Sequence, residues 1–267
     1  MDNYTQYNTL EEFVNSVRSM GRYAFSWEEA KISLGLSDKA LNQTLYRLKK
    51  KNKLAQVRKS YFAIITPEYS KQGMLPPYLF LDDLMKCLGK RYYVGLFSAA
   101  ALYGAAHQQP MEYYVITEKP ALRDIKNSKL NINFYVKKDW SDTDMVQKKT
   151  DAGYMNVSVP ELTALDLLTY GNFGLNRVIT ILEELVEEIK PSVMARTARG
   201  FWQTTTIQRL GYIIDKEIGN EKLAGALKKV LSERTIYPVL LLKNSSNQGV
   251  LDSDWKIIKN TKIESDL

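Results

Sequence analysis

The stretch SWEEAKISLGLSDKALNQTLYRLKKKNKLAQVRKSYFAIIT, residues 26–66, decides the fold. Ser26 stands three residues before Glu29, the spacing of a capping box, in which the hydroxyl bonds the third backbone N–H and the carboxylate reaches back. A helix therefore starts at Trp27, with Trp27, Ala30 and Leu34 turned inward. Gly35 supplies the left-handed conformation that ends it. Ser37 caps a further helix running to about Lys51. The runs 54–58 and 61–66 are β-prone, lie on either side of Lys59 and Ser60, and predict a hairpin that Pro67 closes. Helix, tight turn, helix and hairpin in that order predict a winged helix-turn-helix.

Unrolled at about 100° per residue, the second capped helix has two faces. Leu41, Leu45 and Leu48 form one stripe and face a core. Lys39, Gln43, Tyr46 and Lys50 cluster opposite, with Asn42 and Arg47 at the flanks. Lys and Arg suit phosphates or guanine edges, and Gln or Asn suits adenine, so this face is a candidate for a DNA major groove. Arg58 and Lys59 stand at the expected hairpin tip, within reach of phosphates or an adjacent minor groove. Lys49, Lys51 and Lys53 add neutralising charge. Eight Lys or Arg fall between Lys39 and Lys59, and the first acid after Asp38 is Glu68. A competing reading takes the run 49–51 as a solvated helix end, where cations favour the macrodipole anyway.

Outward from this stretch, Leu10, Phe13, Val14 and Val17 follow helical spacing over residues 10–20, and Gly21 stops that helix. Gly73, Pro76 and Pro77 predict a linker over 71–77. From Tyr78 the chain mixes helices and strands. Helices are predicted over 79–88, 94–103, 160–170, 175–189, 192–201, 205–218 and 221–233. Strands are predicted over 112–117, 131–137, 151–157, 236–243 and 255–259. The small residues Ser98 to Ala101 let a second element approach closely. The expected fold class is α+β: a winged helix-turn-helix over 1–70, a linker over 71–77, a larger mixed α/β domain over 78–260 and a disordered tail over 261–267.

The chain of 267 residues carries a net charge of +7 and is 45% hydrophobic, enough for a sizeable core. Residues 1–69 hold eleven basic and seven acidic side chains, so most of the excess sits in the first quarter. A basic balance favours a polyanionic partner. With one cysteine, Cys87, no intrachain disulfide forms, and its apolar helical setting predicts a buried inert thiol. With one histidine, His107, and no cysteine partners, the usual zinc sites are excluded. No signal peptide and no apolar run of about 20 residues is present, which predicts a cytoplasmic protein, nucleoid-associated when bound to DNA.

Candidates for catalysis are weak. Glu183, Glu184, Glu187 and Glu188 lie opposite Ile179, Leu182, Leu185, Val186 and Ile189 and read as a solvated acidic face. Asp142 and Asp144 are a candidate metal pair, but they sit in a polar loop without a nucleotidyltransferase lead-in. No P-loop, dinucleotide fingerprint or nucleophile elbow is present. The segment from Arg196 to Trp202 interleaves cations with aromatics, and reads as a helix end, a nucleic-acid contact or a protein-binding face.

Four stretches, taken with the N-terminal pattern, carry a resemblance: YYVGLFSAAALYG at 92–104, NINFYV at 131–136, VPELTALDL at 159–167 and QRLGY at 208–212. In order and spacing they resemble the AbiEi antitoxins of bacterial type IV toxin–antitoxin, or abortive infection, systems. Tyr103 stands where many relatives carry histidine. The resemblance implies a non-enzymatic antitoxin and autorepressor without metal or organic cofactor. Its winged helix would bind inverted repeats upstream of its own operon. Its C-terminal domain would counteract a nucleotidyltransferase-like toxin without a stable complex. On the residues here, the DNA-facing role falls to Lys39, Gln43, Tyr46, Arg47, Lys50, Arg58 and Lys59. The alternatives are a winged-helix transcription regulator unrelated to toxins, or a metal-dependent nuclease or nucleotidyltransferase using Asp142 and Asp144.

Overall fold

A computed structural model describes residues 7–105, 112–170, 173–243, 245 and 248–263. The fold mixes helices with three sheets, as the α+β expectation requires. Among the described residues no helix is long and apolar enough to cross a membrane. The chain packs into two compact units, Met1–Tyr93 with Met111–Lys138 and Gln147–Asn156, and Val94–Pro110 with Asp139–Val146 and Val157–Leu267.

The first unit begins with helix α1, Leu10–Ser19, whose N-cap Thr9 accepts from the Glu12 backbone N–H. Strand β1, Ala24–Ser26, leads directly into α2, Trp27–Leu34. The capping box forms: Ser26 Oγ accepts from Glu29 N at 3.0 Å, and the Glu29 carboxylate accepts from Ser26 N at 3.4 Å. Gly35 follows at φ 59°, in the left-handed region. Ser37 caps α3, Asp38–Lys50, by accepting from Ala40 N. Lys31 reaches across the turn to Asp38 at 2.6 Å. Strands β2, Leu54–Arg58, and β3, Tyr61–Ile64, complete an antiparallel sheet of order β1-β3-β2.

One core holds these elements. Leu10, Phe13, Val14 and Val17 of α1 meet Leu41, Leu45 and Leu48 of α3 and Phe25, Leu54, Phe62 and Ile64 of the sheet. Phe13 meets Phe25 edge-on at 5.1 Å. Ser26→Ala removes the acceptor of the Glu29 backbone N–H, while the Glu29 carboxylate keeps its bonds from Ser26 N and Arg22. Stability should fall by about 1 kcal/mol in urea unfolding, with Ser26→Asp retaining most of it.

Arg22 ties this layer to its neighbours. Its guanidinium bonds both Glu29 oxygens, donates through Nε to Asp83 at 3.0 Å and reaches the Ala24 carbonyl. These bonds, Glu29 first, hold the Arg22 charge more firmly than in water. Asp83 belongs to α4, Leu81–Cys87, which packs against β1. Cys87 departs from expectation: its thiol is exposed. Leu81, Leu84 and Met85 take the buried stripe of α4, and Cys87 falls about 100° away from it.

Strands β4, Tyr92–Val94, β5, Tyr113–Thr117, β6, Ile125–Asn127, β7, Leu130–Val136, β8, Met145–Thr150, and β9, Gly153–Ser158, form a sheet of order β6-β7-β5-β4-β9-β8. The pairing β5–β7 is parallel and β6–β7 antiparallel. The predicted strands at 112–117, 131–137 and 151–157 are present, while β4, β6 and β8 were not expected. His107 lies outside the described residues.

The second unit is mainly helical: α5, Leu96–Leu102, α6, Pro160–Thr169, α7, Leu175–Leu185, α8, Pro191–Gly200, α9, Thr204–Tyr212, and α10, Glu221–Leu231. Buried Ala99 and Ala100 let α5 lie against α6, as the small-residue run predicts. Helix α9 continues as a π-helix over Ile213–Ile218. Strands β10, Val239–Leu240, β11, Val250–Asp252, and β12, Ile257–Lys259, make a small sheet of order β10-β12-β11.

Candidate nucleic-acid interface

Helix α3 divides by face as its sequence predicts. Leu41, Leu45 and Leu48 are buried, while Lys39, Asn42, Gln43, Tyr46, Arg47 and Lys50 are exposed. Tyr46 leaves 56% of its surface open, and the Lys50 ammonium stands over its ring at 5.3 Å. A cation over an aromatic face is held where solvent and a ligand still reach it. Lys39, Gln43, Tyr46 and Lys50 thus form one row along the outer face, a positive edge with an amide inside it.

The flanking residues are less free than their sequence implies. Asn42 Oδ1 accepts from Trp27 Nε1 at 3.0 Å, which takes one of the two lone pairs of that oxygen and ties the amide to α2. Gln43 is left as the amide on the row. Lys49 donates to Gln56 Oε1 at 2.9 Å and joins α3 to the hairpin. Lys53 pairs with Glu11 at 2.9 Å, and that bond lowers the Glu11 pKa. Of the two hairpin cations, Lys59 is exposed and Arg58 half-buried. Arg58 closes β2 opposite Tyr61, and its Nη1 is buried without a hydrogen-bond partner. The exposed cations here are Lys39, Arg47, Lys50, Lys51, Lys53 and Lys59, and of these Lys53 is paired with Glu11. Sequence reasoning missed the Trp27–Asn42 and Lys49–Gln56 bonds. An indole and an amide fifteen residues apart carry no local signal.

The other candidates resolve into structure. Asp144 is nearly buried, accepting from Thr197 Oγ1 at 2.7 Å and from Arg196, so it fastens its loop to α8. Among the described residues no group of His, Cys, Asp or Glu is arranged to hold a metal. Arg196 also donates to the Thr143 carbonyl and Arg199 pairs with Glu233, while Trp202 is 68% exposed. Glu183, Glu184 and Glu187 line an open acidic groove with Glu217 and Glu221.

The stretch QRLGY forms the centre of the second unit. Gln208 is buried and donates through Nε2 to the carbonyls of Tyr237 and Trp255, at 2.9 and 3.0 Å. Arg209 donates through Nε to the Leu240 carbonyl at 2.8 Å. Gly211 lies under the fully buried Trp255 ring; a Cβ there would stand 1.9 Å from Cζ3. Trp255 Nε1 donates to Asp215 at 2.8 Å. The motif is therefore the dock for the C-terminal segment.

Residues 93–216 match a family model described as the AbiEi antitoxin C-terminal domain. The match is to an AbiEi antitoxin domain. It spans α5, the strands β5–β9 and helices α6–α9, and so takes in the stretches that carry the resemblance. The fold is also similar to the crystal structure of the RV2827C protein from Mycobacterium tuberculosis, with a TM-score of 0.66 and 17% identity. That likeness covers 96% of this chain and 92% of the other. No curated protein matches the chain.

Proposed function

We propose that the protein is a DNA-binding antitoxin and the autorepressor of its own operon. Residues 1–70 act as a winged helix-turn-helix, 71–77 as a connection and 78–260 as the antitoxin domain. The observation that carries the DNA-binding half is the exposed row Lys39, Gln43, Tyr46 and Lys50 on α3, directly opposite the buried leucines. Helix α3 enters the major groove, Gln43 reads a base edge, and Lys50, Arg47, Lys51 and Lys59 meet phosphates, with Arg58 at the edge of the contact. Trp27 holds Asn42 beside the row rather than in it. The antitoxin half rests on the AbiEi match; its functional partner is a nucleotidyltransferase-like toxin, countered without a stable complex.

Two measurements test this reading. In gel shifts on the DNA upstream of its own gene, with about six phosphate contacts, affinity should fall roughly a thousandfold between 50 and 200 mM salt. Binding that ignores salt would overturn the proposed face. In co-expression with the neighbouring toxin gene, the full-length chain should restore growth. A full-length chain lacking the α3 cations should still restore growth while losing repression. Loss of both together would mean that the toxin is controlled through transcription alone.

A further inference from the structure

The hairpin tip carries Lys59, and the strand ladder alone does not fix where that tip points. Strands β2 and β3 stay in register from Leu54 opposite Ile64 to Gln56 opposite Phe62, but a bulge between Gln56 and Arg58 interrupts the pairing just before the turn at Lys59 and Ser60. A bulge bends its strand and increases the local twist, so the tip needs other bonds to hold one position. Two are present. Gln56 Nε2 donates to the Lys59 carbonyl at 3.1 Å, while Gln56 Oε1 accepts from Lys49 Nζ on α3 at 2.9 Å. On the other side, the Trp27 backbone N–H donates to the Ser60 carbonyl at 2.9 Å, and the Trp27 indole donates to Asn42 on α3. Both carbonyls of the turn are thereby tied to α3 through one residue each.

The chemistry of the first tie calls for an amide. An ammonium only donates and a carbonyl only accepts, and a side-chain amide joins the two by accepting on one side and donating on the other. Lys49 is held a second time, its ammonium 6.0 Å from the centroid of the Phe62 ring, so this cation serves the joint between helix and hairpin. Gln56 is exposed and takes no part in the core. A tip that is already held has less freedom to lose when it meets a ligand.

We propose that Gln56 is a positioning residue for DNA: by joining Lys49 to the Lys59 carbonyl it holds the hairpin tip at a fixed place beside α3, so that the Lys59 ammonium and the α3 row meet one duplex together. The inference rests on the DNA-binding reading. Fluorescence anisotropy of the full-length protein on labelled DNA from upstream of its own gene, over about 50–200 mM salt, tests it. Gln56→Met keeps the length of the side chain and removes both bonds. It should weaken binding about three- to tenfold and lower the log–log salt slope by up to about 1, the share of one phosphate contact. In a Lys59→Ala background the same substitution should cost nothing further, a coupling that a loss of stability does not produce. A lower melting temperature in Gln56→Met, an equal loss of binding in both backgrounds, or unchanged binding would each overturn the inference and leave the DNA-binding reading standing. Absence of salt-dependent binding by the unaltered protein would overturn that reading, and this inference with it.

Discussion

Gly211→Ala should cost the protein about 3 kcal/mol or more, because no rotamer of the host removes the collision. The added methyl would sit 1.9 Å from Cζ3, 2.4 Å from Cη2 and 2.5 Å from Cε3 of Trp255. That indole is fully buried and pinned by its bond to Asp215, so it cannot tilt away without breaking the bond. Either α9 shifts, or the segment from β10 to β12 leaves its dock. Thermal unfolding should move down by roughly 6–12 °C, with a loss of near-ultraviolet tryptophan signal. Gly225 supplies the matched comparison. It lies inside α10 with nothing within 4 Å of an added Cβ, so Gly225→Ala should raise stability by about 0.5–1 kcal/mol. Equal responses at the two glycines would show that helix propensity, rather than the close approach of Trp255, governs both.

The second large effect concerns DNA. Removing Lys50 and Lys59 together should reduce operator affinity by roughly ten- to a hundredfold at 100 mM salt and lower the log–log salt slope by about 2. Both cations are exposed, so the fold should keep its melting temperature. Gln43→Ala should behave differently. It should cost about 1–3 kcal/mol on the true operator, little on unrelated DNA, and leave the salt slope alone. Arg58→Ala should weaken binding less than Lys59→Ala, since its guanidinium is half taken into the hairpin. Fluorescence anisotropy across a salt series separates these classes. A uniform loss from Gln43→Ala on all sequences would remove that residue from base reading.

What could be read from sequence followed the range of the forces involved. Ser26 with Glu29, Gly35 and Ser37 act over three or four residues, so their helices were predicted to within a residue or two. The apolar stripe of α3 fixed its exposed face by geometry alone. Strand β4 was missed because Tyr92–Val94 is a short apolar run just ahead of a helix, and periodicity cannot separate the two. Strand β8, MVQKKT, was missed because an edge strand carries polar and charged residues that look like loop. The thiol of Cys87 differs from expectation because α4 is apolar on one side only, and Cys87 lies off that side. The partners of Asn42, Lys49 and Arg58 depend on side chains brought together by folding, which no local pattern encodes.

Arg22 bears on where the chain can be cut. Its guanidinium holds Glu29 at the start of α2 and Asp83 on α4 at once, and the Tyr61 hydroxyl beneath is buried with its ionisation suppressed. A fragment ending near residue 70 would lose Asp83, uncover Tyr61 and bare the outer side of β1. Residues 1–70 are thus not a detachable piece. The smallest self-sufficient form of this segment has to run at least through Cys87, and an exchange of it between relatives should carry that helix along.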